Sequence, residues 1–227
     1  MLLEETKVVG TEGGLRAQLS PKWEIWGPNG GYLTAIALRA AATVVPAGHR
    51  PASISCQFIS PGKMADARVD AVLVKKGRSA WCVDVEIAQN ERVLLRAHVW
   101  TTDRSDGPQT NRARMPRVAP PVGLPSYGEL HDGRSQPHPY WLNFDVRPVS
   151  LPWPSGEETA PSLQVWFRYH GFVATDDPFA AHGRSVIPID TMLWPTHWRT
   201  RAGRTDYLAP SLDLSVWFHD VPGTSEW

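Results

Sequence analysis

The sequence predicts an α+β fold in which one buried helix precedes an antiparallel sheet. An Ala-rich segment over Tyr32 to Val45 repeats its apolar residues at about 3.6-residue spacing and contains a single charge, Arg39. Segments of alternating apolar and polar residues then follow, separated by short turns. This alternation is typical of an antiparallel meander with one solvated face, and a helix placed before such a meander belongs to the α+β class.

The first helix is bounded by strong local signals. A weak strand over Leu15 to Leu19 is followed by the cluster Gly27-Pro28-Asn29-Gly30-Gly31, which disfavours regular structure. We therefore expect the helix to start at Tyr32. Pro46 and Gly48 end it.

Four strands are predicted after this helix. Each ends at a turn rich in Gly, Pro or Asn, and the third shows the clearest alternation, with Trp, Val, Val and Ile opposing Cys, Asp and Glu. The predicted strands are Ser53 to Ser60, Ala67 to Lys75, Ser79 to Ala88 and Val93 to Thr101.

The second half begins after a segment with little periodicity. Residues 103–140 are rich in Pro, Arg, Ser, Gly and Asn, so we predict a surface linker. A helical region follows over Pro178 to Trp194, with Asp177 as N-cap and with Pro188 expected to kink or split it. The predicted strands of this half are Trp141 to Val149, Leu163 to Tyr169 and Pro210 to His219.

The two halves repeat one order of elements. The strand after each helix is similar, PASISCQFISPG at residues 51–62 and PSLDLSVWFHDVPG at residues 210–223, and Ser55 corresponds to Asp213. Such a repeat indicates a duplication. The first half continues to Thr102 and supplies three more strands, whereas only Thr224 to Trp227 follow in the second half. We therefore expect the second half to lack about three strands in this chain.

Composition argues against several classes of function. The 23 Lys and Arg residues balance 23 Asp and Glu residues, which disfavours binding to nucleic acid or to an anionic membrane surface. The first seven residues do not form a signal peptide, and no apolar run reaches the roughly 18 residues of a membrane span. Two cysteines cannot build a disulfide framework, so a reducing, cytoplasmic location is expected.

Several segments together resemble the acyl-CoA thioesterase II family. They are WGPNGGYLTAIALRAA, the strand ending in FISPG, KKGRSAWCVDVEIAQNERVLL, and SLDLSVWFH. The resemblance implies a double hot-dog fold, in which two antiparallel sheets each wrap around a central helix, with the second hot dog incomplete in this chain. The implied boundaries are 1–102 for the N-terminal hot dog, 103–140 for a linker and 141–227 for the C-terminal hot dog.

The resemblance also implies an activity. The family hydrolyses acyl-CoA to free acid and CoA, using an Asp-activated water and neither metal nor cofactor. Its catalytic Asp lies in a Ser/Thr-hydrophobic-Asp-x-Ser-x-Trp-Phe-His pattern, which Asp213 matches. The family's partner Ser/Thr and Gln would fall after Trp227. The alternative function is non-catalytic binding of acyl-CoA or of an acyl chain. A third and weaker alternative is the dehydratase activity of other hot-dog proteins.

The residue types also indicate how thioester hydrolysis could proceed. Thioester hydrolysis needs an activated water and donors for the developing oxyanion. Asp213 lies between two leucines, and we expect this apolar setting to raise its pKa. Gly30 and Gly31 leave amides bare at the N-terminus of the first helix. We therefore predict that Asn29, Gly30, Gly31 and Tyr32 bind substrate, and that Asp213 meets them across the interface between the halves.

Other reactive residue types have simpler interpretations. His170, His182 and His219 lack the spacing of metal ligands, so a metal site is not expected. Cys56 and Cys82 are not expected to be nucleophiles, and Gln89 is interpreted as a turn-facing polar residue.

Two questions stay open at this point. The tryptophans Trp23, Trp26, Trp194, Trp198 and Trp217 could line an acyl tunnel or pack in the core. Exposed edge strands predict a homo-oligomer.

Overall fold

A computed structural model describes residues 2–104, 107–108, 114, 116–130, 138–149, 162–171, 173–201, 206–220, 222 and 227. The helices within these residues are α1 (Leu2–Glu5), α2 (Gly30–Ala42), α3 (Tyr127–Leu130), α4 (Pro178–Thr191) and α5 (Leu193–Thr200). The strands are β1 (Val9–Thr11), β2 (Gly14–Gln18), β3 (Arg50–Phe58), β4 (Asp66–Lys76), β5 (Ala80–Gln89), β6 (Arg92–Thr102), β7 (Phe144–Pro148), β8 (Val165–Tyr169) and β9 (Asp213–Trp217). Short 3₁₀ helices span Pro21–Trp23 and Pro139–Asn143. None of the helices in this described part is long and apolar enough to cross a membrane.

Seven strands form one antiparallel sheet in the order β1-β2-β4-β5-β6-β3-β9. The predicted meander is confirmed, because β4, β5 and β6 follow one another in both chain and sheet. Strands β7 and β8 form a separate antiparallel pair. β1 and β9 are the two edges of the large sheet, and whether these edges pair with a second copy of the chain stays a prediction.

The buried first helix is also confirmed, but it starts earlier than predicted. Asn29 is its N-cap, and the Asn29 Oδ1 accepts a hydrogen bond from the backbone N–H of Tyr32 at 3.0 Å. With this cap in place, Gly30 and Gly31 form the first turn of α2 instead of a loop. Nearly every residue of α2 from Gly31 to Ala41 is buried against the sheet or against α4.

The predicted interruption of the second helix falls after Pro188. Helix α4 continues through Pro188 to Thr191, and α5 begins at Leu193. Because proline has no backbone N–H, the carbonyl of Arg184 loses its usual helical partner. The hydroxyl of Tyr169 donates to that carbonyl at 2.6 Å, so the helix crosses the proline with this acceptor satisfied.

The two halves meet through both their helices and their strands. Gly31 of α2 lies against Ile187 of α4, and Gly183 of α4 lies against Ala35 of α2, so the helices run antiparallel. In the large sheet, β9 pairs antiparallel with β3, with Ser55 opposite Ser215. These relations agree with the internal repeat, whose end at Gly223 lies outside the described residues.

An aromatic cluster bridges the halves. The ring of Trp23 stacks on Tyr32 at 5.5 Å and meets Tyr140, Phe144 and Tyr169 of the second half at 5.8–6.3 Å. All five residues are buried. Trp23 therefore belongs to the core.

Candidate active site

The site is built on the N-terminus of α2, where the two glycines allow other groups to approach. A Cβ atom on Gly30 would lie 2.7 Å from Cζ of Phe58 and 2.9 Å from Oδ2 of Asp190. A Cβ atom on Gly31 would lie 2.6 Å from the Cα of Ile187. The two halves could not pack this closely around larger residues at either position.

Asp190 joins the last turn of α4 to the first turn of α2. Its Oδ2 accepts hydrogen bonds from the backbone N–H of Gly31 at 3.0 Å and from Nδ2 of Asn29 at 3.1 Å. The same Asn29 Nδ2 lies 3.1 Å from Oγ1 of Thr191 and donates to it as well. A carboxylate of the second half therefore occupies the positive end of the helix of the first half.

The electrostatic setting of Asp190 is unusual for a carboxylate. Burial raises the pKa of Asp190 above its ordinary value, although Ser211, Gly31, Asn29 and Gly30 stabilise the charged form and oppose the shift. The other oxygen, Oδ1, is buried, and no hydrogen bond of standard geometry reaches it within the described part of the chain. The side chain of Ser211 lies near the carboxylate and favours its charged form.

A buried chain of hydrogen bonds fixes the orientation of Asn29. The Thr191 hydroxyl that accepts from Asn29 donates to the hydroxyl of Tyr140 at 2.8 Å. Tyr140 in turn donates to the backbone carbonyl of Ile187 at 3.3 Å. Burial raises the pKa of Tyr140, and the charge of Asp190 adds to this effect. The Asn29 amide is thereby held with its N–H groups towards Asp190 and Thr191.

Asp213 lies elsewhere than predicted. It is exposed at the start of β9, opposite Gln57 of β3, while Leu214 and Val216 pack against the core. The predicted apolar, inward setting is therefore wrong, because side chains alternate between the two faces of a strand and the leucine takes the inner one. The structure does not bring Asp213 to the N–H groups of Gly30 and Gly31.

The side chain of Tyr32 lies in the core, and the prediction that Tyr32 binds substrate stays a prediction. Its hydroxyl accepts from the backbone N–H of Ser20 at 3.2 Å and donates to the carbonyl of Glu5 at 2.5 Å. Its ring is fully buried. Only its backbone N–H belongs to the site, through the cap that Asn29 provides.

Gln89 and Cys56 have the simpler roles that the sequence indicated. Gln89 donates to the carbonyls of Lys63 and Ala65 and accepts from the N–H of Lys63 at 2.9 Å, which confirms a turn-facing residue. Burial raises the pKa of the Cys56 thiol to about 11, and its Sγ lies 3.4 Å from Oγ1 of Thr34. A thiol of this kind is a poor nucleophile.

Sequence reasoning missed two groups of residues. Asp190 stood in an apolar helical segment and was not considered. Cys82, Asp84 and His98 have ligand atoms within 4.8 Å of one another on the outer face of the sheet, a separation that suits a shared cation. Asp84 lies opposite His98 across β5 and β6, so only the strand register could have revealed this group.

The equivalent position in the other half of the repeat carries different chemistry. Counted from the N-caps Asn29 and Asp177, the two glycines correspond to Pro178 and Phe179, and Asp190 corresponds to Ala42. The Asp177 side chain itself accepts from the first free N–H groups of α4 at 2.9 and 3.3 Å. Of the two helix N-termini, that of α2 combines two glycines with a carboxylate from the other half, and that of α4 does not.

A cavity of about 530 Å³ lies away from this site. Its walls are mainly apolar and include Leu2, Trp23, Leu142 and Val173, with Arg184 among the polar residues. Neither the α2 N-terminus nor Asp190 lines this cavity. Of the five tryptophans considered for an acyl tunnel, Trp23 alone contributes to it.

Comparison with known proteins finds a family model that matches part of the chain. Residues 19–102 match the family described as the acyl-CoA thioesterase N-terminal domain. This segment is similar to that domain. It contains Asn29, Gly30 and Gly31, so the family resemblance of the sequence is confirmed where the site is built. No curated protein matches the chain.

Solved structures support the fold. A hot-dog protein of unknown function from Alicyclobacillus acidocaldarius has a TM-score of 0.79 and 21% identity, with 97% of this chain and 79% of that chain covered. The tesB protein of Mycobacterium avium subsp. paratuberculosis has a TM-score of 0.75 and 22% identity, with 100% of this chain and 82% of that chain covered. The acyl-CoA thioesterase II TesB2 of Mycobacterium marinum has a TM-score of 0.75 and 20% identity, with 96% of this chain and 79% of that chain covered. The predicted α+β hot-dog architecture is confirmed.

Proposed function

We propose that this chain hydrolyses the thioester bond of acyl-CoA molecules, releasing a free acid and CoA. A carboxylate activates the attacking water, and no step of the proposal uses a metal ion or a cofactor. The reaction takes place at the N-terminus of α2, at the junction of the two halves.

One observation carries this proposal. The central helix of the segment that matches the thioesterase N-terminal domain begins with two glycines, and a carboxylate from the second half lies 3.0 Å from the N–H of Gly31. A helix N-terminus favours the negative charge that develops on a thioester carbonyl, and a carboxylate can accept a proton from water. The two requirements of thioester hydrolysis therefore meet at one point.

The sequence motif assigns the activation of water to Asp213, and we retain this assignment as one proposal. Its test is a free-thiol release assay with acyl-CoAs of graded chain length. The motif assignment predicts that Asp213→Asn lowers turnover by about 10²–10⁴-fold, the usual contribution of a general base. Near-normal turnover in this variant would remove Asp213 from the mechanism.

Binding of acyl-CoA without hydrolysis is a second candidate, and one observation favours it. The N–H of Gly31 is already bonded to Asp190, so it is not free to polarise a carbonyl while that contact persists. Calorimetric binding with a non-hydrolysable acyl-CoA analogue separates the two candidates. Tight binding of the analogue without thiol release from any acyl-CoA would establish the binding function and exclude the enzyme.

A further inference from the structure

We propose that Cys82, Asp84 and His98 bind a divalent transition-metal ion, with Zn²⁺ as the best match to their donor atoms. The three residues lie on the outer face of the large sheet, and their ligand atoms lie within 4.8 Å of one another. The ion takes no part in the proposed thioester hydrolysis. The sequence-based expectation of no metal site considered three other histidines, none of which belongs to this cluster.

The strand register brings the three residues together. Cys82 and Asp84 are two residues apart on β5, so their side chains share one face of the sheet. His98 of β6 lies directly opposite Asp84 and diagonally to Cys82, and such neighbours are within reach of one another. Val83, between the two β5 residues, is fully buried on the other face, which packs against α2. The cluster therefore lies on the side of the sheet away from the α2 site.

The separations suit one ion after a small adjustment. Oδ1 of Asp84 and Nδ1 of His98 are 2.5 Å apart, with one proton between them. Zinc holds its ligand atoms at about 2.0–2.3 Å, so the atoms of a tetrahedral site lie about 3.3–3.8 Å apart. The Asp84–His98 pair must therefore widen, and any separation as long as 4.8 Å must close by about 1 Å. Small side-chain rotations supply both changes.

The donor atoms select the class of ion. A thiolate, an imidazole and a carboxylate are all ordinary ligands of Zn²⁺. Mg²⁺ and Ca²⁺ prefer sites built from oxygen atoms alone, so the thiol and the imidazole disfavour them. Three protein ligands also leave the fourth position of a tetrahedral ion to a water molecule.

Exposure differs among the three ligands in a way that suits metal entry. The side chains of Asp84 and His98 are 45% and 60% exposed, whereas Cys82 is only 7% exposed. Lys75 and Trp100 flank Cys82 in the register, and Nζ of Lys75 lies 5.3 Å from the centre of the Trp100 ring. Two ligands are thus open to an arriving ion, while neighbouring side chains cover the thiol.

The charges on this face favour a cation. A thiolate and a carboxylate carry two negative charges, and Lys75 adds one positive charge that is shared with the face of Trp100. In the next row along the strands, Arg68 and Arg96 both pair with Glu86, at 3.1 and 3.0 Å. The cluster therefore stays negative even with Lys75 counted, and the two arginines have partners of their own.

Binding exchanges protons for the ion without any oxidation or reduction. Cys82 binds as the thiolate, so its proton passes to solvent. The ion takes the place of the proton between Asp84 and His98, which moves to the other ring nitrogen or to solvent. The bound ion then has two anionic ligands and one neutral ligand, which balances the charge of Zn²⁺.

Titration of the whole chain with Co²⁺ shows directly whether a thiolate binds the ion, because cobalt–thiolate bonds absorb in the near ultraviolet. We expect one Co²⁺ per chain and complete displacement by one equivalent of Zn²⁺. Cys82→Ser should lose the thiolate absorption. Cys56→Ala is the matched control, since it removes the other cysteine, which lies buried in the core, and it should retain the spectrum.

Affinity for Zn²⁺, measured by competition with a chromophoric chelator, tests the other two ligands. Loss of a residue that merely supports a metal ligand costs about 10–100-fold in affinity, so we expect Asp84→Asn and His98→Gln each to weaken binding at least that much. Asp103→Asn and His170→Gln make the same chemical changes at exposed positions. These two controls should retain the wild-type affinity.

Stability gives a readout that does not depend on absorption. An ion that binds the folded chain preferentially raises the urea midpoint as its concentration increases. We expect Zn²⁺ to raise the midpoint of the wild type and to leave that of His98→Gln nearly unchanged. Similar midpoints of the two proteins without metal show that the substitution itself preserves the fold.

The contrary outcomes are distinct. A wild-type chain that binds neither Co²⁺ nor Zn²⁺ overturns the proposal. Binding that survives unchanged in Cys82→Ser, Asp84→Asn and His98→Gln places the ion elsewhere and overturns it as well. Thiol release from acyl-CoA is a separate measurement, so failure of the metal site leaves the proposed hydrolysis standing, and failure of hydrolysis leaves the metal site standing.

Discussion

The carboxylate of Asp190 accepts a hydrogen bond from the backbone N–H of Gly31 at 3.0 Å, although 159 residues separate the two along the chain. This contact joins the end of α4 to the start of α2 and places a charged group of one half at the positive end of the helix of the other. The same contact requires a glycine at position 31, because the backbones of the two helices approach closely there.

The close approach of the helices predicts that Gly31→Ala is strongly destabilising. The new Cβ would lie 2.6 Å from the Cα and 2.7 Å from the carbonyl oxygen of Ile187. These are backbone atoms, so the helices must separate. We expect a loss of about 1–3 kcal/mol or more in the free energy of unfolding, measured by urea denaturation.

Gly10→Ala is the control for this substitution, since a Cβ at Gly10 meets nothing within 4 Å. It should change the free energy of unfolding by less than about 0.5 kcal/mol. Equal stability of the two variants would contradict the packing described for α2 and α4.

Buried His182 predicts a pH-dependent stability. Its pKa is lowered to about 4, chiefly by burial and also by the charge of Arg50, while the charge of Asp220 opposes the shift. Its ring packs 4.3 Å from that of Phe218. The unfolded chain takes up this proton near pH 6.5 and the folded chain only near pH 4, so folding stability is lost as the pH falls between these values.

Urea midpoints measured from pH 7 to pH 4 test this prediction. We expect His182 to account for a loss on the order of 1–3 kcal/mol across that interval. His182→Gln cannot take up the proton, so its midpoint should fall less steeply with acidification. Parallel pH profiles for the two proteins would show that His182 is not the group responsible.

Cys56 is predicted to be unreactive in the folded protein. Its raised pKa of about 11 leaves about one thiol in a thousand ionised at pH 8, and the side chain is fully buried. Ellman's reagent should therefore modify Cys56 much more slowly in the native protein than in the urea-unfolded protein. Cys56→Ala should retain turnover, and a large loss of turnover would indicate a thiol mechanism instead.

The placement of Tyr32 in the core predicts an effect on stability and not on substrate affinity. Tyr32→Phe removes a hydroxyl that bonds the backbone of Glu5 and Ser20, and leaves a partly buried carbonyl and N–H without that partner. We expect a loss of about 1–3 kcal/mol in the free energy of unfolding. The KM for acyl-CoA should stay within about twofold, and a large rise in KM would restore Tyr32 to the binding site.

Local patterns predicted most of the fold. The apolar spacing of Leu33, Ile36 and Ala40 identified α2, and the alternation along β4 to β6 identified the meander, because burial on one side imposes a period on the sequence. The start of α2 was placed late because Gly30 and Gly31 indicate a loop unless the cap by Asn29 is known.

The site was harder to predict because its contacts join distant segments. Asn29, Gly30 and Gly31 could be found from their cluster, but their acceptor Asp190 could not, since the antiparallel packing of α2 and α4 decides which residues meet. One signal was present in the sequence: Asp190 is the one carboxylate within the apolar segment Val186 to Trp194. Asp213 was assigned from a motif, and motifs do not specify which face of β9 a side chain takes.

The most direct test of hydrolysis at the α2 N-terminus is the kcat for thiol release from acyl-CoA by the wild-type chain and by Asp190→Asn. We predict measurable release by the wild type and a kcat about 10²–10⁴-fold lower for the variant, at a nearly unchanged KM. Equal kcat values for the two proteins would contradict a catalytic role for Asp190.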